Sequence, residues 1–214
     1  MKAAGNGCVG GERSVVTYVV GALGHRDSVR SRTMEPRLPP IPRDQWDDET
    51  RALLGDNDTI NIFGTLAHHP KLMKRWLVFG NHVLAKSTLP ARDRELLILR
   101  TGWNCRSPYE WGQHVAIGRT VGLTDDDIQR LVDGPDASGW TEFEAALVRG
   151  ADELHADLCL SDATYDALAR GYSEQQLLDM VFTVGQYHLV SSVLNTFRVE
   201  RDDGVTDAPV PTRD

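Results

Sequence analysis

Leu89–His114 reads LPARDRELLILRTGWNCRSPYEWGQH, and the rest of the chain can be placed around it. Pro90 sets the backbone for a helix start, and Leu96-Leu97-Ile98-Leu99 then presents apolar side chains on every side. The pattern predicts a buried helix from Pro90 to about Trp103. A second start follows at Ser107-Pro108-Tyr109-Glu110, a capping box in which a Ser hydroxyl and a Glu carboxylate satisfy each other's backbone donors, with Pro at the first helical position. On that helix Ser107, Glu110 and His114 fall at i, i+3 and i+7, so a hydroxyl, a carboxylate and an imidazole share one face. The preceding helix turns Glu95 to the same side as Ala91, Ile98, Leu99 and Gly102. A carboxylate on an apolar stripe is costly unless it is paired or protonated. If the two helices pack together, Glu95, Glu110 and His114 form a group suited to moving protons, because burial raises a carboxyl's affinity for the proton and His titrates near neutrality. The plain alternative is an ion pair between Glu95 and Arg92 or Arg94.

Working outward, helical signals continue in both directions. Asp44 to Leu54 carries Trp46, Leu53 and Leu54 as anchors, and NIFGTLAHHP gives a short helix stopped by Pro70. Leu72, Trp76, Phe79 and Val83 recur at spacings of four, three and four, predicting a helix over 70–85. The Ser107 helix is expected to end at Gly122, a left-handed C-cap, and Thr124-Asp125-Asp126-Asp127 starts another. Thr141-Glu142-Phe143-Glu144 and Ser173-Glu174-Gln175-Gln176 are further capping boxes. The first opens a helix with Ala145, Val148, Ala151, Leu154 and Leu158 on one stripe. Ser161 caps a short helix to Arg170, and the second box opens a long apolar helix to about Asn195. No segment alternates with period two, so the fold class is all-α.

The domain organisation follows. Residues 1–33 are Gly-rich, then apolar, then basic; they read as a disordered N-terminal extension ahead of Met34 rather than a signal peptide, whose apolar run Thr17 and Tyr18 would interrupt. Residues 34–44 form a Pro-rich extended arm, 45–200 the helical domain, and 201–214 a polar, flexible tail. With 214 residues, 41% hydrophobic and 25% charged, the chain has the composition of a soluble globular protein. A formal net charge of -8 provides no basic footprint, so neither nucleic acid nor a membrane is expected as a partner. Three widely spaced cysteines match no disulfide framework and point to a reducing, cytoplasmic setting.

Other candidates take supporting parts. Cys105 lies two residues before Ser107, where a thiol near a helix N-terminus gains thiolate character. Tyr109 and Trp111 flank Glu110 and either line a pocket or pack between helices. Gln186 and His188, with Tyr187 between them, are placed to close a pocket from the last long helix, and His68-His69 from an early one. Glu153 and His155 lie two apart on a helix and point different ways, so no metal pair is expected, and no cofactor.

LPARDRELLILRTGW (89–103) followed by SPYEWGQHVAIGRTVGLTDDDIQRL (107–131) resembles the carboxymuconolactone decarboxylase family, relatives of the AhpD-type alkyl hydroperoxidases. NIFGTLAHHP, ADELH and VFTVGQYHLV extend the likeness across most of 45–197. The resemblance implies an AhpD-like helical bundle assembling as a homo-oligomer, a trimer or hexamer, with a small-molecule site among the central helices. In the redox branch a Glu precedes Cys-x-x-Cys and a His; Glu95 and His114 match that Glu and His, but Ser107 and Glu110 occupy the two cysteine positions. A dithiol relay needs two sulfurs. The likeness therefore implies a decarboxylase-type lyase acting without a cofactor on a carboxylated lactone or related oxygenated acid. His114, Glu95 and Glu110 are its expected catalytic residues, and Arg94 or Arg100 would hold the substrate's carboxylate. Two alternatives stay open: a peroxiredoxin-like oxidoreductase using Cys105, and a binding protein that kept the helices and lost the chemistry.

Overall fold

The Leu96–Leu99 run forms the centre of the molecule: all four side chains are fully buried, each worth about 1.5–3 kcal/mol over an exposed position. A computed structural model describes residues 35–55, 60–202 and 208–212; the extension expected at 1–33 lies outside the described residues. The helices are α1 (Asp48–Leu54), α2 (Asn61–Leu66), α3 (Pro70–Asn81), α4 (Ala91–Asn104), α5 (Pro108–Thr120), α6 (Asp125–Asp133), α7 (Glu142–Ala156), α8 (Asp162–Ala169) and α9 (Glu174–Phe197). No strand occurs among the described residues, so the fold is all-α as expected. Helix α4 packs against α5, α7 and α9, which is why its Leu96–Leu99 run is apolar on every side.

Two apolar clusters flank this centre. The larger gathers Leu96, Leu97, Trp111, Leu131, Leu147 and Met180 between α4 and α9. The smaller, with Trp46, Phe63, Met73, Tyr109 and Leu194, lies beneath the N-terminal helices. The capping boxes at Thr124, Thr141 and Ser173 all form, each side chain accepting from the backbone three residues on.

Several local expectations are corrected. The helix expected over 70–85 changes at His82–Lys86 into a π-helical turn, a widened turn of the kind that recurs beside functional sites. Leu158 is not on the α7 stripe: the helix ends at Ala156, and Leu158 adopts φ 58 and is 83% exposed. The Pro-rich arm is extended but packed, with Ile41 N donating to Gly64 O at 2.9 Å; a Cβ on Gly64 would come within 2.6 Å of Pro40. The start of the tail is also tied down. Asp202 accepts from Asn61 N at 2.8 Å and from the Tyr109 hydroxyl at 2.7 Å, and Ala208 packs on the main cluster.

Helix α9 is long and apolar enough, by length and composition, to cross a membrane, yet 44% of its apolar window is buried within the fold. Leu178, Val181, Phe182 and Leu189 of α9 are exposed, and Val181, Phe182 and Leu189 share a surface groove with Trp76 and Phe79 of α3. The Phe79 and Phe182 rings meet edge to face at 6.0 Å.

Candidate active site

Helix α5 begins at Pro108, but without the expected capping box. The α4 end explains why. Arg106 turns left-handed at φ 49, Ser107 N donates to Gly102 O and Arg106 N to Trp103 O, both at 2.9 Å. This is a Schellman closure of α4, and it uses the amide that Glu110 would have capped. The Ser107 hydroxyl makes no cap bond; it is buried without a hydrogen-bond partner and does not line the cavity described below. Glu110 is thereby free to turn toward His114, one helical turn further on.

His114 lies between two carboxylates. Its Nδ1 stands 2.6 Å from Glu95 Oε2, and its Nε2 stands 3.2 Å from Glu110 Oε1. Arg94 Nε donates to the other Glu95 oxygen at 3.2 Å, so the simple ion pair and the proton-transfer group exist together. All three members of the group are buried: Glu95 0%, His114 4% and Glu110 5% exposed. The Tyr187 ring meets the imidazole edge-on with centroids 4.9 Å apart, fixing its plane. Burial pushes the His114 pKa down, but the Glu95 charge and the hydrogen bonds to Glu110 and Glu95 outweigh it and hold it up at about 9. At neutral pH His114 is therefore an imidazolium with both N–H groups directed at carboxylates.

A cavity of ≈ 60 Å³ opens on this group, room for a few water molecules or the reacting part of a small ligand. Apolar residues of α2, α3 and α9 form most of its wall. Its polar rim is Asn81, Tyr109, Glu110, Gln113, His114 and Gln186. Asn81 and Gln113 were not singled out by the sequence. Gln113 was findable from its i+4 spacing to Tyr109; Asn81 carries no sequence signal, because only the α3–α9 packing brings it there. The Tyr109 hydroxyl and the Gln113 amide both donate to Asp202, which ties the tail to the cavity's edge.

Several expected site residues stand elsewhere. Arg100 grips Asp152 through two nitrogens, at 2.6 and 2.9 Å, and donates to Leu131 O, so it is committed to the α4–α7 contact. Arg94 is held by Glu95, and neither arginine lines the cavity. Arg92, the other partner considered for Glu95, pairs with Asp127 and Glu144. Trp111 is fully buried in the main cluster against Trp103, with centroids 5.0 Å apart. Packing is its role. His68 is exposed and bonds Pro39 O, and His69 precedes α3.

Cys105 and His188 also leave the cavity, and they leave it together. Residues 186 and 188 lie on opposite sides of α9, so Gln186 faces the cavity while His188 faces α7. There His188 Nε2 approaches His155 Nδ1 at 2.9 Å, and Cys105 Sγ stands 3.9 Å from the same nitrogen. Cys105 is the C-cap of α4, so the helix end nearest it is the negative one, contrary to the expected thiolate-favouring position. Burial pushes the Cys105 thiol up to about 11, opposed by Ser191 and reinforced by the Glu110 charge. It is not an activated thiol. Burial and the neighbouring His155 lower the His188 pKa.

Residues 70–153 match the carboxymuconolactone decarboxylase family. The fold is similar to that of an alkylhydroperoxidase AhpD core, an uncharacterized peroxidase-related protein from Ralstonia eutropha JMP134 (20% identity, covering 78% of this chain and 93% of that one, TM-score 0.70). It is also similar to an uncharacterized peroxidase-related protein from Silicibacter sp. TM1040 (15% identity, 83% and 98%, TM-score 0.70). A third similar structure is a variant of the debrominase Bmp8 in complex with 2,3,4-tribromopyrrole (14% identity, 80% and 94%, TM-score 0.66). At these identities the likeness establishes the fold. No curated protein matches the chain.

Proposed function

We propose that this chain, whose residues 70–153 match the carboxymuconolactone decarboxylase family and whose fold is AhpD-like, is a cofactor-free proton-transfer enzyme of the lyase type. Its substrate is a small carboxylated lactone or related oxygenated acid, and its catalytic group is Glu95, His114 and Glu110. The observation that carries the reading is the buried imidazolium between two carboxylates, open to an apolar cavity.

The chemistry follows from that arrangement. A substrate carboxylate brought into an apolar cavity beside Glu110 loses hydration and meets like charge, which favours loss of carbon dioxide. The C–C bond breaks, its electron pair passes into the adjoining carbonyl as an enolate, and the His114 Nε2 proton is delivered to the carbon. Solvent then restores the proton to His114. Glu95 meets the imidazole at Nδ1, away from the cavity-facing Nε2, and acts as a positioning residue, holding the ring's orientation and its charge. Glu110 guards Nε2 until substrate displaces it. Asn81, Gln113 and Gln186 orient the substrate's oxygens in place of the arginines first expected to do so.

The reading competes with a peroxidase using Cys105, but that thiol lies outside the cavity and its proton is tightly held. The exposed apolar side chains of α3 and α9 are those a second copy of the chain would cover, in keeping with the homo-oligomer implied by the family resemblance. The test is release of carbon dioxide from a panel of carboxylated lactones, run in deuterated water with deuterium incorporation followed at the protonated carbon. Wild type is expected to decarboxylate at least one member with deuterium uptake, and His114→Gln to lose about 10²–10⁴ of that rate. An equally active His114→Gln protein would remove the mechanism.

A further inference from the structure

Cys105, His155 and His188 come from three separate elements: the C-cap of α4, the last turn of α7 and the middle of α9. Their ligand atoms, one sulfur and two imidazole nitrogens, all lie within 4.8 Å of one another. Glu153, two residues before His155, points another way and accepts from Ser161 and Thr164 at the start of α8. The partners of His155 lie 50 residues before it and 33 after it, where no spacing rule reaches.

We propose that Cys105, His155 and His188 form a binding site for a zinc-class divalent transition-metal ion, outside the proton-transfer cavity and independent of the activity proposed above. Three observations support it. The donor set, a sulfur and two imidazoles, is what zinc selects, whereas the hard ions calcium and magnesium take oxygen. Tetrahedral coordination at ordinary zinc–ligand distances separates two nitrogens by about 3.3 Å and a nitrogen from a sulfur by about 3.6 Å. The His155–His188 and Cys105–His155 separations, 2.9 and 3.9 Å, differ from these by a few tenths of an ångström, and Cys105 and His188, whose ligand atoms lie within 4.8 Å, close on the ion by side-chain rotation. Finally, the frame around the cluster is fixed. Asn195 Nδ2 donates to Cys105 O at 2.9 Å, Cys105 N donates to Thr101 O at 2.9 Å, and Asn104, beside Cys105, donates to Asp152 of α7 at 2.7 Å.

Binding is balanced as follows. The Cys105 thiol releases its proton to solvent as sulfur bonds the ion. The hydrogen shared between His155 Nδ1 and His188 Nε2 is replaced by two nitrogen–metal bonds, the displaced hydrogen moving to solvent or to the far nitrogen of its ring. His155 is exposed and the other two are half-buried, so the ion has a protein face with three ligands and a solvent face open for a fourth. Thiol release makes affinity rise with pH.

The experiment uses the full-length protein, stripped with chelator and titrated near neutral pH with Zn²⁺ by calorimetry and with Co²⁺ by absorbance. One Zn²⁺ per chain is expected, together with a thiolate-to-cobalt charge-transfer band. Cys105→Ser should abolish the band. His155→Ala, an exposed position, should weaken Zn²⁺ binding about tenfold or more, since even outer-sphere changes cost that much. Circular dichroism checks that both variants keep their helices; if Cys105→Ser unfolds, His155→Ala and His188→Ala carry the test. The proposal is overturned if wild type binds Zn²⁺ no better than these variants, or if Cys159→Ser rather than Cys105→Ser removes the band. Decarboxylation is read in parallel, and its absence leaves this test unaffected.

Discussion

The described residues hold two histidine clusters that meet different faces of α9, and they behave oppositely. At Glu95–His114–Glu110 the imidazole is buried between carboxylates and its pKa is held up at about 9. At Cys105–His155–His188 the rings face each other and a thiol, and the His188 pKa is lowered by burial and by His155. The first environment keeps a proton on nitrogen; the second keeps a lone pair on nitrogen. The difference is which other side chains the packing supplies, since the imidazoles themselves are chemically the same.

The largest effect separating the two clusters should come from His114→Gln, which removes the only cation between two buried carboxylates. Turnover is expected to fall about 10²–10⁴-fold with the helical spectrum intact, while the same change at His188 leaves turnover unchanged. Glu95→Gln comes next. It leaves His114 facing Glu110 alone, so its pKa drops and the alkaline limb of the pH–rate profile, which runs with loss of the imidazolium, moves to lower pH. A limb that does not move would deny Glu95 its positioning role. Third, Cys105→Ser and His155→Ala should weaken Zn²⁺ binding about tenfold or more without changing turnover.

A fourth comparison is read in stability. The His114 pKa in the folded protein, about 9, lies above its ordinary value of 6.5. Its contribution to stability is therefore complete below pH 6.5 and is lost as pH rises through about 9. Denaturant midpoints for wild type should fall across that window, and those for His114→Gln should stay flatter. The smallest effect concerns the caps. Thr141→Ala breaks a formed capping box and should cost about 1 kcal/mol. Ser107→Ala, which removes a buried hydroxyl that makes no bond, should stay within about 0.5 kcal/mol. A Ser107→Ala cost equal to that of Thr141→Ala would restore the capping role that the geometry assigns to the α4 closure.

That last pair marks the limit of local reading. Thr141 and Ser107 open equally good capping boxes as sequence, and only one forms. The Thr141 amide had no other acceptor, whereas the Ser107 amide was already used by α4. The cysteine shows the same limit. Its place two residues before Ser107 looked like a helix N-terminus, but the chain turns left-handed at Arg106 and leaves Cys105 at the opposite pole of the previous helix.

By itself the sequence determined the helical class, nearly every helix and its approximate ends, the burial of Leu96–Leu99, and the pairing of Glu110 with His114 on one face. All of these depend on spacings within a few residues, where the 3.6-residue period is decisive. It also marked Glu95 as a carboxylate in need of a partner, because the cost of burying charge is legible from the stripe it sits on. Tertiary structure alone decided that Arg94 and not Arg92 would share Glu95, that Arg100 would be spent on Asp152, that Asp202 would reach Tyr109, and that Cys105 would meet His155 and His188. Each of these contacts joins separate elements or is set by the approach of one. They depend on which helix faces which and at what rotation, and those choices come from filling a common core rather than from any single helix's pattern.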